Sequence, residues 1–284
     1  FSWHTAVDVD PDDVVSYELY LDTPDPGVEV YELGSDTLFQ PPAPLLDNTS
    51  YFWRVVAKDI LGFETNSIGD YRKFTVNLFN DNPSVVDLIT PDSVMVLTLT
   101  PHMVWSPATD IDPGDVVSYE MHWWAEGLDL DSVLTDTNAV ILPRELADNT
   151  QYFWEVIAMD DSDGISHSIV ATFWTDLFNE VPVGFALLSP ENGATGLSQS
   201  PAFLWEFAAD PDPFDYATYT FQISTDSAFT DITYETNTSV NVGFEMTEDL
   251  PMDNEYWWRV IATDRDSLST ESETFKFTVG FVSI

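Results

Sequence analysis

The stretch Asp8-Val-Asp-Pro-Asp-Asp-Val-Val-Ser-Tyr17 returns as Asp110-Ile-Asp-Pro-Gly-Asp-Val-Val-Ser-Tyr119 and again as Asp210-Pro-Asp-Pro-Phe-Asp-Tyr-Ala-Thr-Tyr219. Other landmarks keep the same step. Trp3, Trp105 and Trp205 precede the acidic stretch at spacings of 102 and 100 residues. Downstream, Tyr51-Phe-Trp-Arg-Val-Val-Ala57 matches Tyr152-Phe-Trp-Glu-Val-Ile-Ala158 and Tyr256-Trp-Trp-Arg-Val-Ile-Ala262. A period of this size is a whole small domain; solenoid repeats run to about 20–50 residues. Phe74-Thr-Val-Asn-Leu-Phe-Asn-Asp-Asn-Pro83 and Phe173-Trp-Thr-Asp-Leu-Phe-Asn-Glu-Val-Pro182 are copies of one joint. They divide the chain into 1–79, 80–179 and 180–284. The first copy starts at its Trp strand, without the roughly twenty residues that precede Trp105 and Trp205. The expectation is an N-terminally truncated first domain in a piece of a longer protein.

Apolar residues at every second position, as in Tyr51, Trp53, Val55 and Ala57, predict short strands rich in aromatic and β-branched residues. The 18 Pro punctuate the gaps and leave little room for long helices. Many short strands with a turn signal about every ten residues predict an all-β sandwich. The early-strand Trp, the Leu-x-x-x-Thr-x-Tyr lead-in and the Tyr-x-Trp-x-Val-x-Ala strand resemble the fibronectin type III module. The resemblance implies three tandem fibronectin type III/immunoglobulin-like β-sandwiches, the first lacking its N-terminal strand. It also implies tyrosine corners at Tyr51, Tyr152 and Tyr256. The third lead-in departs from the pattern, replacing the Thr with Glu255 and losing one residue, so its corner is expected to be built a little differently. The Trp-x-x-Ala-x-Asp-x-Asp-Pro wording and Ile223-Ser-Thr-Asp-Ser-Ala-Phe229 are similar to versions in bacterial surface and secreted proteins.

Fifty acidic residues stand against eight Lys and Arg, a formal charge of −42. Nucleic acid and anionic membrane are poor partners for such a surface. Disorder is excluded by a 44% hydrophobic and 14% aromatic content, which is enough for three cores. The acids must therefore lie on folded surfaces, where salt or divalent cations relieve their repulsion. The chain has no Cys, so disulfides and thiolate metal sites are absent. No apolar run approaches the roughly 20 residues of a membrane span. Asn48-Thr-Ser and Asn237-Thr-Ser fit the glycosylation sequon, which chance explains as well.

In a sandwich of this kind the B–C and F–G loops share one end, and strand A starts there too. The acidic stretches are B–C loops, giving Asp8, Asp10 and Asp13; Asp110, Asp112 and Asp115; and Asp210, Asp212 and Asp215. The F–G loops open with Asp59, with Asp160 and Asp163, and with Asp264 and Asp266. The linkers bring Asn80, Asp81 and Asn82, and Asn179 and Glu180, to the same places. Oxygen ligands from Asp, Asn and backbone carbonyls suit a hard cation, so these residues are candidate Ca²⁺ ligands at the domain joints. Asn80-Asp-Asn-Pro83 resembles part of the cadherin linker, and that resemblance implies calcium-stiffened joints. The loops lack the Gly and terminal Glu of an EF-hand. The plainer alternative is that Asp and Pro are simply good turn residues. The cluster at Asp8–Asp13, with no preceding domain in this chain, is expected to bind metal least well.

Catalysis has little support. His4, His102, His122 and His167 are scattered, with no second His at a metal-binding spacing. Neither a Gly-x-Ser-x-Gly elbow nor a Gly-rich phosphate loop occurs. Strand alternation turns Trp123 and Trp258 inward and Trp124 and Trp257 outward, where the latter pair would stack on a sugar or partner protein or simply cover the sheet. Two functions follow. One is a structural or adhesive segment of an extracellular or cell-surface protein, a semi-rigid spacer or filament component roughly 100 Å long. Its partners would be neighbouring domains of the same longer chain and other copies in a filament or surface layer. The alternative is an accessory module of a secreted hydrolase or receptor that binds a polysaccharide or protein through those aromatics.

Overall fold

The computed structural model describes residues 1–10, 12–22, 28–69 and 71–280. All regular elements among them are strands, so the chain is all-β. In the second copy, the larger sheet runs Asp131–Thr135, Ser118–Ala125, Gln151–Met159, Ala171–Thr175, Val94–Val96, with Ile165–His167 also on Gln151–Met159. The facing sheet runs Ala139–Ile141, His102–Trp105, Leu88–Thr90. The third copy repeats both sheets, and the two are immunoglobulin/fibronectin-like β-sandwiches. No helix is long and apolar enough to cross a membrane among the described residues.

One turn of topology is not legible in the pattern. The first strand of each full sandwich pairs antiparallel with the Trp strand, as Leu88 does with Trp105. After Thr90-Pro91 the chain changes sheets, and Val94–Val96 pairs parallel with Ala171–Thr175. The third copy does the same after Ser189-Pro190, with Ala194–Leu197 parallel to Phe275–Val279. Both switch points are cis peptide bonds to Pro.

The strand alternation fills the cores. Trp105, Trp154, Trp205 and Trp258 are at most 2% exposed, each against aromatic or aliphatic neighbours from the opposite sheet. Burial of such a ring at about 25 cal/mol per Å² contributes several kcal/mol. The first copy is different. Among the described residues its second sheet shows a single isolated bridge, Ser2 with Leu38, and Trp3 and Trp53 are only half-buried. Trp3, Tyr17, Trp53, Val55 and Ala57 line an open cavity of about 450 Å³. In the second copy the matching core is covered by the segment that carries Val86 and Leu88.

Two sets of tyrosine hydroxyls fix the loops. Tyr51 and Tyr152 accept from the N–H of Leu46 (2.8 Å) and Ala147 (3.0 Å), five residues back, which are the expected corners. Five residues before Tyr256 stands Pro251, which has no N–H; the hydroxyl turns round and donates to the Pro251 carbonyl at 3.2 Å. The second set has no counterpart among the sequence expectations. Tyr17, Tyr119 and Tyr219 accept from the N–H of Ala6, Ala108 and Ala208 at 2.8, 2.9 and 2.9 Å. Each bond ties the start of an acidic loop to the core three residues after the Trp.

The outward tryptophans are covered more than alternation alone suggests. Trp124 and Trp257 do point away from the cores, but both are half-buried. Trp124 stacks on Phe153 at 5.9 Å and 16°, and Trp257 lies opposite Lys276 in the strand register.

A third-copy hairpin loop is organised around one carboxylate. Asp226 accepts from the Thr230 hydroxyl (2.9 Å) and from the amides of Ala228 (2.9 Å) and Asp231 (3.2 Å). The Thr230 bond foremost, with the amides and against the opposing effect of burial, lowers its pKa to about 2. A depressed carboxylate stabilises the fold above its unfolded pKa and ceases to do so as pH falls through its folded one. Asp226→Asn is therefore expected to lower the urea midpoint of the third copy at neutral pH. The deficit should shrink between about pH 4 and pH 2, and a deficit independent of pH would contradict this account.

Candidate metal centre

Each acidic loop is shaped by its own chain. The N–H groups of Asp10, Asp112 and Asp212 donate to Asp8, Asp110 and Asp210 at 2.8, 2.8 and 3.0 Å. The N–H groups of Asp13, Asp115 and Asp215 donate to the carbonyls of Asp10, Asp112 and Asp212. These turns gather three carboxylates per loop. One oxygen from each of Asp8, Asp10 and Asp13, of Asp110, Asp112 and Asp115, and of Asp210, Asp212 and Asp215 can be chosen so that all lie within 4.8 Å.

The two joints are built alike. At the first, the N–H of Asp81 donates to Asp112 (2.6 Å) and the Asn80 amide to Asp160 (3.2 Å). At the second, the N–H of Glu180 donates to Asp212 (3.1 Å) and the Asn179 amide to Asp264 (3.0 Å). Ser166 and Thr270 donate to the carbonyls of Pro83 and Pro182. The preceding copy reaches across as well: Asn48 donates to Asp81 at 2.8 Å, and Asn149 donates to Glu180 (2.9 Å) and Asp212 (3.1 Å). Linker, B–C loop and F–G loop thus converge at both joints. Asn48 and Asn149 belong to this network and are absent from the sequence-derived set. Both have left-handed backbone, φ 50°, in the shared Asp-Asn-Thr lead-in.

The remaining residues take varied places. Asp59, Asp160 and Asp264 are equivalent, each accepting amides of its own F–G loop. Asn82 accepts from the N–H of Ile165 at 3.2 Å, so its oxygen already has a partner. Asp163 sits at an exposed turn with φ 73°. Asp266 lines a cleft of about 430 Å³ at the second joint with Asn179, Asp176, Asp212, Asp215 and Arg265. Trp174 of the second copy meets Phe214 of the third loop edge-on at 5.4 Å there.

Electrostatics separates the carboxylates. Asp112 and Asp212 are 3% and 6% exposed and are held by linker amides. By contrast, Asp110 Oδ2, Asp115 Oδ2 and Asp210 Oδ2 are buried with no hydrogen-bond partner among the described residues. Burial, then Asp161, Asp112, Asp160 and Asp110, pushes the Asp115 carboxyl up. Burial, then the charges of Asp212, Asp215 and Asp264, pushes Asp210 up against the amide bond from Asp212. Asp13 is raised by burial and by Asp8, Asp10 and Asp59. Glu180 is raised first by its contact with Asp212. At Asp160 burial acts upward, but bonds from Gly164, Ser162 and Asn80 outweigh it and bring the carboxyl down. Close carboxylate oxygens that are buried, mutually repelling and unpartnered fit a hard divalent cation, whose charge would offset the repulsion.

Residues 191–283 match the family model for the N-terminal immunoglobulin domain of Rha78A-like proteins. Among solved structures, the chain is similar to the FN1–FN3 domains of chicken CNTN1. Identity is 16%, covering 96% of this chain and 91% of that one, with a TM-score of 0.35. No curated protein matches.

Proposed function

We propose that the chain is a non-catalytic run of three sandwich modules, 1–79, 80–179 and 180–284, in an extracellular or cell-surface protein. It serves as a semi-rigid spacer whose joints are stiffened by Ca²⁺. The observation that carries this reading is the network repeated at both joints, where linker, loop and neighbouring copy meet beside unpartnered buried carboxylate oxygens. When bound, the ion supplies positive charge and six to eight oxygen contacts. Asp110, Asp112 and Asp115, with Asp81 and Asp160, would hold it at the first joint; Asp210, Asp212 and Asp215, with Glu180 and Asp264, at the second. The linker amides of Asp81 and Glu180 already orient Asp112 and Asp212.

The two joints differ in field. Asp161 follows Asp160 at the first, whereas Arg265 follows Asp264 at the second and lines its cleft. The first joint therefore favours a cation more. Among the described residues no linker amide bonds to the cluster Asp8, Asp10 and Asp13, and Asp10 is exposed. The competing reading, ligand binding through Trp124 and Trp257, draws less support, since both rings are half-buried.

Calcium is expected to raise the melting midpoint by several degrees over chelator at constant ionic strength, as binding to the folded state alone requires. It should also narrow the distribution of interdomain distances in solution scattering. An unchanged midpoint together with unchanged scattering overturns the proposal.

A further inference from the structure

We infer that Trp174 and Phe214 form an aromatic latch that holds the second and third copies together at the second joint without the help of an ion. The pair spans the joint. Trp174 stands on the strand Ala171–Thr175, between the buried Phe173 and Thr175, so it faces outward; it lies opposite Gln151 in the register and is half-buried. Phe214 belongs to the acidic loop of the third copy. Its ring meets Trp174 edge-on, with centroids 5.4 Å apart and planes at 73°. An aromatic pair prefers this arrangement, in which the positive edge of one ring meets the negative face of the other.

The turn itself does not call for this residue. Phe214 has φ 67°, in the left-handed region that a bulky side chain adopts only with strain. The same position holds Asp12 (φ 76°) in the first loop and Gly114 (φ 107°) in the second, and both adopt that backbone more readily. Phe214 is also 72% exposed, so core burial does not offset the strain. Trp174 is equally particular to this joint. Its register position, opposite Gln151, is Thr75 opposite Ser50 in the first copy and Thr278 opposite Glu255 in the third. The first joint therefore has Thr75 and Gly114 where the second has Trp174 and Phe214. Two residues that neither the strand nor the turn requires occur together, and they touch.

The latch has a force to oppose. Asp176, two residues after Trp174, lines the cleft between these copies with Asp212, Asp215 and Asp266 of the third, and Arg265 is the one cation in that lining. Burial, then the charges of Asp212, Asp148, Asp215 and Asp266, pushes the Asp176 carboxyl up. At the first joint the equivalent residue is the neutral Asn77. Without an ion, like charges on the two sides of the cleft push the second and third copies apart. A contact between uncharged rings does not depend on calcium. An edge-on pair favours the docked arrangement about two- to tenfold beyond the area it buries. The latch takes its use from the spacer reading, but the contact itself is independent of it.

The chain has no Cys, so spin labels can be placed cleanly at equivalent exposed strand positions. Glu32→Cys with Leu134→Cys spans the first joint, and Leu134→Cys with Asn237→Cys spans the second. Distances are read by pulsed EPR on the full chain in chelator, so calcium stiffening can hold or fail without bearing on the result. Phe214→Gly and Trp174→Thr, which install the residues of the first joint, should each raise the undocked fraction at the second joint about two- to tenfold. The first-joint distribution should stay as it is. The double variant should be no broader than either single one, because both substitutions remove the same contact. Gly suits the left-handed backbone at 214, so Phe214→Gly should leave the melting midpoint close to that of the parent, which separates a loosened joint from a damaged module. An unchanged second-joint distribution in Phe214→Gly, or two substitutions whose effects simply add, would overturn the inference.

Discussion

Exchanging Asp110 and Asp115 together for Asn is expected to lower calcium affinity at the first joint about a hundredfold, since ligand charge count sets affinity in oxygen cages. The second joint, built on Asp210, Asp212 and Asp215, should keep its own affinity within about twofold, because distant sites act independently. Calorimetric titration reads both. The same variant should behave oppositely without calcium. Burial and neighbouring carboxylates raise the Asp115 carboxyl, so the proton is held more tightly folded than unfolded. Its contribution is present below the ordinary carboxylate pKa and is lost as pH rises through the raised value. At neutral pH the ionised group therefore weighs against the fold. A neutral isostere relieves that repulsion, and the side-chain amide that replaces the Asp110 carboxylate still offers an oxygen to the Asp112 N–H. The expected result is a crossover: in chelator the double variant melts higher than the parent, and in calcium it melts lower. A variant that melts lower in both would mean these oxygens serve the loop alone.

Much of this was legible because the repeat supplies internal comparison. The Trp, Tyr and alternating strands fixed the sandwich, and the topology of such a sandwich brought Asp112, Asp160 and Asn80 to one joint. What escaped depends on atoms that spacing does not express. Ala6, Ala108 and Ala208 stand out in the sequence only as part of a motif, yet their amides are what Tyr17, Tyr119 and Tyr219 hold. The reversed corner at Tyr256 was in principle readable, since Pro251 has no N–H to give. The change of sheets after Pro91 also hid from the periodicity, since its two three-residue strands are too short to show a period.

The three equivalent tryptophans Trp53, Trp154 and Trp258 give the largest expected stability effect and the sharpest internal control. Trp154 and Trp258 are fully buried, whereas Trp53 borders the open cavity of the first copy. Trp154→Ala should cost about 3–5 kcal/mol, the range for removing a buried large ring. Hydrogen exchange would show this as a loss of protection of about a thousandfold across 151–159, with 254–263 unaffected. Trp53→Ala should cost well under half as much, because the surroundings it leaves are already partly open. The conservative change separates packing from hydrogen bonding. Trp154 Nε1 donates to the Pro91 carbonyl at 2.9 Å, while Trp258 Nε1 is buried with no partner among the described residues. Trp154→Phe therefore forfeits a bond and strands a carbonyl, at about 1–3 kcal/mol beyond the lost ring volume. Trp258→Phe removes an unpartnered donor and should cost less, despite an equally buried position. Equal costs at the two sites would show that the Pro91 bond does not hold the switching segment to the core.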